Sequence, residues 1–170
     1  MSDYSYSTDW KKLLDDDDVQ KATERYMGQY NQYGQQAQQN IDAAYAPSVS
    51  YQKNLLSEVP AQYDASRREN DYNLQVAARK FQNQMAMEGQ QNSGMSRSEQ
   101  AGLIASHSKT AGEITSQQRN AEMEIRNAIS QILAERDKAK ADTALQYQMQ
   151  GQEKADEYAR RAEERAHDSM

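Results

Sequence analysis

His107, Ser108 and Lys109 stand in succession, and a serine beside a lysine is one arrangement from which a nucleophile can be built. The trio falls in the early turns of an expected helix, with no loop nearby to hold an oxyanion. His107 and His167 are far apart, and neither has a carboxylate or second histidine at metal-ligand spacing on its own face. The absence of cysteine excludes a disulfide framework, Cys-ligated zinc, an iron–sulfur cluster and a Cys nucleophile. Acid–base work needs a desolvated carboxyl group, whereas the Asp and Glu here sit among Lys, Arg and Gln on faces expected to be wet. Gly28 to Gly34 carries no lysine and follows helix rather than strand, so it is no phosphate cradle. The sequence therefore reads as a non-enzyme with no catalytic residue, no metal site and no cofactor.

Residues suited to binding are easier to find. Trp10, Leu13 and Leu14 fall at i, i+3 and i+4, so one helical turn would place the sole tryptophan beside two leucines. Such a face suits a groove on a partner, or on the chain's own helices. Asp15 to Asp18 follow, and read as the cap and charge of a helix N-terminus. Arg67, Arg68, Arg79 and Lys80, with Tyr63, Tyr72 and Phe81 interleaved, form the one place where charge and stacking together would touch nucleic acid. Asp64, Glu69 and Asp71 balance them, which also fits the outer face of a paired helix.

The elements that carry these residues are helical. Leu, Ile, Val and Phe make up only about 11% of 170 residues, too few for a conventional core, while 23 Ala and 22 Gln favour helix. An arm (1–18) precedes a first helix over 19–46, whose stripe includes Tyr26, Tyr30 and Tyr33, candidates for partner docking. Pro47 and Pro60 bound an expected hinge over 47–60. A second helix follows over 61–89, with Tyr63, Leu74, Ala77, Phe81 and Met85 as its stripe. The turn over 90–96 contains Asn92, Ser93, Gly94 and Ser96, and Ser96 with Glu99 has the form of a capping box.

A long helix is expected over 97–170, on the order of 100 Å at 1.5 Å per residue. Alternating steps of three and four from Ala111 give Ile114, Gln118, Ala121, Ile125, Ala128, Ile132, Glu135 and Ala139, a seam of about four heptads. With Leu74 and Phe81 of the second helix, Ile114, Ile125 and Ile132 are the candidate residues of the seam between helices. Its alanines give close approach but little buried area each. The expected fold class is all-α: an elongated helical hairpin or coiled coil with an N-terminal arm and no globular core.

A net charge of −6 argues against broad phosphate-backbone binding, so nucleic acid contact would be local and weak. No stretch approaches the roughly 20 apolar residues that span a bilayer, and no secretory signal is readable at Met1-Ser2-Asp3-Tyr4. The chain reads as soluble and acting where it is made.

The helix ending near Met85 to Gly89, the turn Asn92-Ser93-Gly94-Met95-Ser96-Arg97 and the Ala, Gln and Glu-rich helix after it resemble the virion proteins of tailed bacteriophages. Within these, residues 63 to 150 are similar to the helical internal core or ejection proteins of short-tailed phages and to small head and neck components. The resemblance implies a virion protein assembled in the host cytoplasm. Its implied partners are the portal, other core proteins and further copies of itself in a ring or bundle, with a part in genome ejection. Ejection proteins of this kind carry an apolar, membrane-interacting segment that this chain lacks, which shifts the expectation toward a structural role. Two alternatives are a capsid scaffolding protein, which would leave the mature particle, and a cellular coiled-coil adaptor.

Overall fold

The computed structural model describes residues 16–90 and 93–168. Two helices account for nearly all of them: α1 over Asp16–Glu88 and α2 over Gly94–Asp168, joined as a hairpin. The described residues contain no strand. The arm residues Trp10, Leu13 and Leu14, and Asn92 of the turn, lie outside this range.

The hinge expected over 47–60 is helical. Pro47 and Pro60 both lie inside α1, so the two shorter helices predicted on either side are one. Each proline removes one i to i−4 hydrogen bond and costs about 3 kcal/mol in a helix interior. Both rings are on the exposed side, where the freed carbonyls meet water. The opposite face supplies the compensation: Val59, whose α conformation the following proline disfavours, is 5% exposed. Continuous burial of that face outweighs the local breaking signal.

The turn is built by backbone geometry at one end and a side chain at the other. Gly89 has φ +67°, Gln90 N–H donates to Met85 O at 3.0 Å and Gly89 N–H to Ala86 O at 3.4 Å. This pair of bonds is a Schellman motif, which satisfies the last carbonyls of α1 around a glycine in the left-handed region. Ser93 Oγ then accepts from Ser96 N–H at 3.0 Å, while Arg97 N–H donates to Ser93 O at 3.2 Å. Ser93 is therefore the N-cap and α2 begins at Gly94, three residues before the predicted start. Ser96, predicted as the cap, is the third residue of the helix and only 2% exposed.

The chain forms two compact units, one of Pro47–Ile132 and one of residues up to Ala46 with Leu133 onward. Within the first, Arg67 bonds Gln118, and Asn70 Nδ2 donates to His107 O at 3.2 Å. Within the second, Tyr26 and Tyr158 pack with ring centroids 6.2 Å apart, and Lys140 Nζ donates to Asp42 at 2.8 Å. These pairs lie nearly equal numbers of residues from the turn, as an antiparallel pairing without slippage requires.

Burial repeats every eleven residues rather than every seven. Tyr30, Ile41, Gln52, Tyr63, Leu74 and Met85 face inward on α1, as do Leu103, Ile114, Ile125, Arg136, Tyr147 and Tyr158 on α2. Eleven residues in three turns is 3.67 per turn, closer to the free α-helix than the 3.5 of a heptad, so the stripe drifts less per residue. The heptad reading holds from Ala111 to Ile132, where every position is at least partly buried. It fails at Glu135, which is exposed while its neighbour Arg136 turns inward. Beyond this shift Tyr147, Gly151 and Ala155 hold the inward positions, and Leu145 and Met149 face outward.

Gly151 marks the tightest approach: a Cβ there would lie 3.1 Å from Tyr30 Cβ and 3.3 Å from Met27 Sδ. Gly151→Leu should therefore cost about 1–3 kcal/mol through overpacking. Gly112, whose Cβ position is open, should gain about 0.5–1 kcal/mol on replacement by Ala. Urea midpoints followed by helical circular dichroism separate the two. Gly89→Ala should cost about 1–2 kcal/mol from the left-handed backbone alone, since its Cβ would meet nothing. Gly94→Ala, in open space without a positive φ, should stabilise by about 0.4–1 kcal/mol in the same assay.

Candidate functional site

His107 has a partner that its own neighbourhood in sequence does not disclose. Its Nε2 lies 2.7 Å from Asp71 Oδ1, supplied by α1 across the hairpin, and its carbonyl accepts from Asn70. A histidine oriented by a carboxylate is the base half of a catalytic triad. Ser108 and Lys109 do not complete it: successive residues of a helix are rotated by about 100°, and both are exposed on other faces. The pair acts as a polar clamp between the helices.

Among the described residues no group of three or more His, Cys, Asp or Glu is placed to hold a metal ion. Nor is any described helix long and apolar enough to cross a membrane. Asp17 and Asp18 occupy the first turn of α1, where carboxylates meet the positive end of the helix dipole, and Asp17 pairs with Lys21. Arg165 occupies the last turn of α2 with the complementary sign.

The basic cluster divides between seam and surface. Arg67 is held by Asp64 at 2.8 Å and by Gln118, and Tyr63 and Phe81 are turned into the seam. Arg68, Arg79, Lys80 and Tyr72, the last 63% exposed, remain outward. Charge is thus available there with one ring, not the three interleaved rings that the spacing offered.

The tyrosine stripe is also divided. Tyr26 packs on Tyr158 and under Arg25, whose guanidinium carbon is 5.4 Å from the ring centroid, and Tyr30 sits against Gly151. These two, both half-buried, pack along the hairpin's own seam. Gly151 leaves room for the Tyr30 ring between close backbones, and Gly34 does the same for Tyr147. An added Cβ at Gly34 would meet Tyr147 Cβ at 3.4 Å. Tyr33 alone stays outward, 47% exposed, its edge on Tyr30 at 5.6 Å and its hydroxyl accepting from Gln29 Nε2 at 2.7 Å. Of the predicted seam residues, Phe81 and Ile114 are buried, and Leu74, Ile125 and Ile132 are half-buried.

What the fold presents outward is apolar in two places. Met87, Met95 and Ile104 are 89%, 62% and 60% exposed near the turn, and Leu145 and Met149 are 57% and 64% exposed on distal α2.

At the far end of α2, Glu157 accepts from Lys154 Nζ at 2.9 Å and is paired with Arg161. The Lys154 hydrogen bond, then the charges of Arg161 and Lys154, hold the Glu157 carboxyl below the usual carboxylate range, and Glu157 raises Lys154 in return. A depressed carboxyl contributes stability that is complete above its unfolded value and is lost as pH falls through its folded one. Helicity at this end should therefore decline on acidification below about pH 4.5. Glu157→Gln should flatten that decline in a circular dichroism titration while leaving the signal at pH 7 within about a tenth of wild type. Compared with known protein families, characterised proteins and solved structures, the chain matches none.

Proposed function

We propose that the chain is a non-enzymatic structural protein of a tailed-phage particle, present in many copies as a ring or bundle of helices at the portal, inner core or tail. One observation carries this reading: the inward stripe is too thin for the length of helix it holds. Among the described residues the buried hydrophobic side chains are Ala22, Val59, Phe81, Met85, Ile114 and Ala155, two of them alanine. Helical stability in proteins comes mostly from packing of a face rather than from propensity, so helices of 73 and 75 residues with so small a core draw support from neighbours. The outward Met, Tyr, Leu and Ile residues are where those neighbours would bury area, and closed rings of identical copies repeat a weak contact until it suffices. The turn and the Ala, Gln and Glu-rich helix after it support the virion assignment through their resemblance to phage core and neck proteins.

Two measurements test it. The thermal midpoint of the isolated chain should rise with protein concentration, as it must when association stabilises the folded state. Mass spectrometry of purified particles from a phage encoding the chain should find it at a fixed multiple of the portal symmetry. Presence in assembly intermediates but absence from mature particles would replace the reading with a scaffolding role. A concentration-independent small oligomer that never enters particles would replace it with a cellular adaptor.

A further inference from the structure

Within the unit Pro47–Ile132 the inward stripe fixes the side on which every other residue lies. Arg67 and Gln118 each follow an inward residue, Tyr63 and Ile114, by four positions, and they bond across the seam. His107 follows Leu103 by four and meets Asp71, which precedes Leu74 by three. At about 100° per residue, all of these stand just past the inward line in the same rotational sense. That sense therefore leads to one common flank of the unit, and the reverse sense leads to the other.

The exposed charges of the unit separate by sign between these flanks. Arg68, Arg79 and Arg119 follow inward residues by five positions, and Arg97 precedes Leu103 by six, the same row of the eleven-residue repeat. Lys53 and Arg126 follow Gln52 and Ile125 by one, so all six lie on the flank of the His107–Asp71 pair. None of the six has an ion-pair partner among the described residues. The carboxylates of this flank, Asp64, Asp71 and Glu122, are held by Arg67, His107 and Gln118. The opposite flank carries Glu58 and Glu69, six positions after inward residues, Glu113 and Glu124, one before, and Glu88 and Glu99 nearest the turn. These too are exposed and without an ion pair among the described residues, and Lys80 and Lys109 are the cations beside them. A unit whose formal charges sum to zero is thus split, +4 on the first flank with Arg67 included and −4 on the second.

We propose that the basic flank of this unit docks on the acidic flank of a second copy lying alongside it in the same direction. The spacing selects that occupant. Arg68 and Arg79 are eleven residues apart, as are Glu58 and Glu69, and Glu113 and Glu124, about 16 Å in each case. The levels agree as well: Arg68 and Arg119 lie about 23 and 28 residues from the middle of the turn, against about 22 for Glu69 and Glu113. Arg126 and Lys53 lie at about 35 and 38, against about 33 for Glu58 and Glu124, and Arg97 and Arg79 at about 6 and 12, against about 3 and 8 for Glu88 and Glu99. At all three levels the cations average about one helical turn farther out, an offset of about 5 Å that long flexible side chains close. A nucleic acid would be drawn to the first flank but would leave the second without a counterpart, whereas a second copy satisfies both. Because each copy uses two different flanks, the contact is head-to-tail and repeats around a closed ring. This inference deepens the multi-copy reading and rests on it for self-association.

Sedimentation of the full-length chain over a concentration series tests it. Association should weaken at least about tenfold between about 50 mM and about 1 M NaCl, because exposed charges are screened over a few ångströms at the higher salt. Arg68→Glu with Arg79→Glu should abolish association, whereas Lys80→Glu with Lys109→Glu, the same change of net charge on the other flank, should preserve or strengthen it. Glu58→Lys with Glu69→Lys should also abolish it, and mixing that variant with the Arg68→Glu, Arg79→Glu variant should restore it, which shows that both still fold. Equal weakening by the two cation reversals would overturn the proposal, since net charge rather than flank would then decide. Association indifferent to salt and to every reversal would overturn it while leaving the multi-copy reading in place. A chain that is monomeric at low salt at every concentration would sink both, and binding of a single-stranded oligonucleotide by that monomer, lost in the Arg68→Glu, Arg79→Glu variant, would assign the basic flank to nucleic acid instead.

Discussion

The hairpin depends on a narrow inward stripe that returns to the same side of each helix every eleven residues. A period of 3.67 residues per turn lies close to that of an unstrained helix, so within each compact unit one face of α1 stays toward α2 from turn to turn. The residues that fill the stripe are small or ring-bearing: Ala22, Gly34, Gly151 and Ala155 beside Tyr26, Tyr30, Tyr147 and Tyr158. Glycine in a helix interior costs about 1 kcal/mol, and here the cost is offset by space for an aromatic ring on the facing helix. Close approach and ring packing are two sides of one arrangement.

Small side chains specify register poorly, because sliding one alanine past another changes little area. The polar pairs across the seam supply what the alanines lack. His107 meets Asp71, Gln118 meets Arg67, and Asp42 meets Lys140 at 2.8 Å and Arg136 at 3.7 Å. Each pair is satisfied in one register only, and among the described residues no buried side-chain nitrogen or oxygen lacks a partner. Exposed pairs of this kind add little stability, typically about 0–1 kcal/mol each, so their effect lies in choosing the alignment.

The all-α class, the hairpin and most inward positions were legible because an apolar stripe of helical period survives even when its members are alanine and tyrosine. The turn was legible from Gly89 and the Ser-Gly pair, but its cap was misplaced because serine occurs at both 93 and 96, and only the hydrogen bond to the Ser96 amide distinguishes them. The break at Pro47 and Pro60 was misread for a different reason: a local rule about proline was applied where a long-range face decided the outcome. The same limit hid Asp71 from His107, since a partner 36 residues away appears only once residues equidistant from the turn are paired. The outward set of Leu145 and Met149 was hidden by the change of step near Glu135, beyond which a heptad count assigns inward residues to the wrong face.

That change of step has a physical reading of its own. A stripe can shift by one position without breaking the helix if a side chain at the shift reaches back to the partner, and a long polar side chain does this better than a methyl-bearing one. Arg136 is such a residue: its apolar stem lies in the inward position while its guanidinium reaches Asp42 and Asp137. Ile132 and Leu133, where the two compact units divide, lie one turn before it, and Pro47 stands at the same division on α1. A proline costs α1 one hydrogen bond and an arginine carries the stripe of α2 across its shift, and each helix continues without a break.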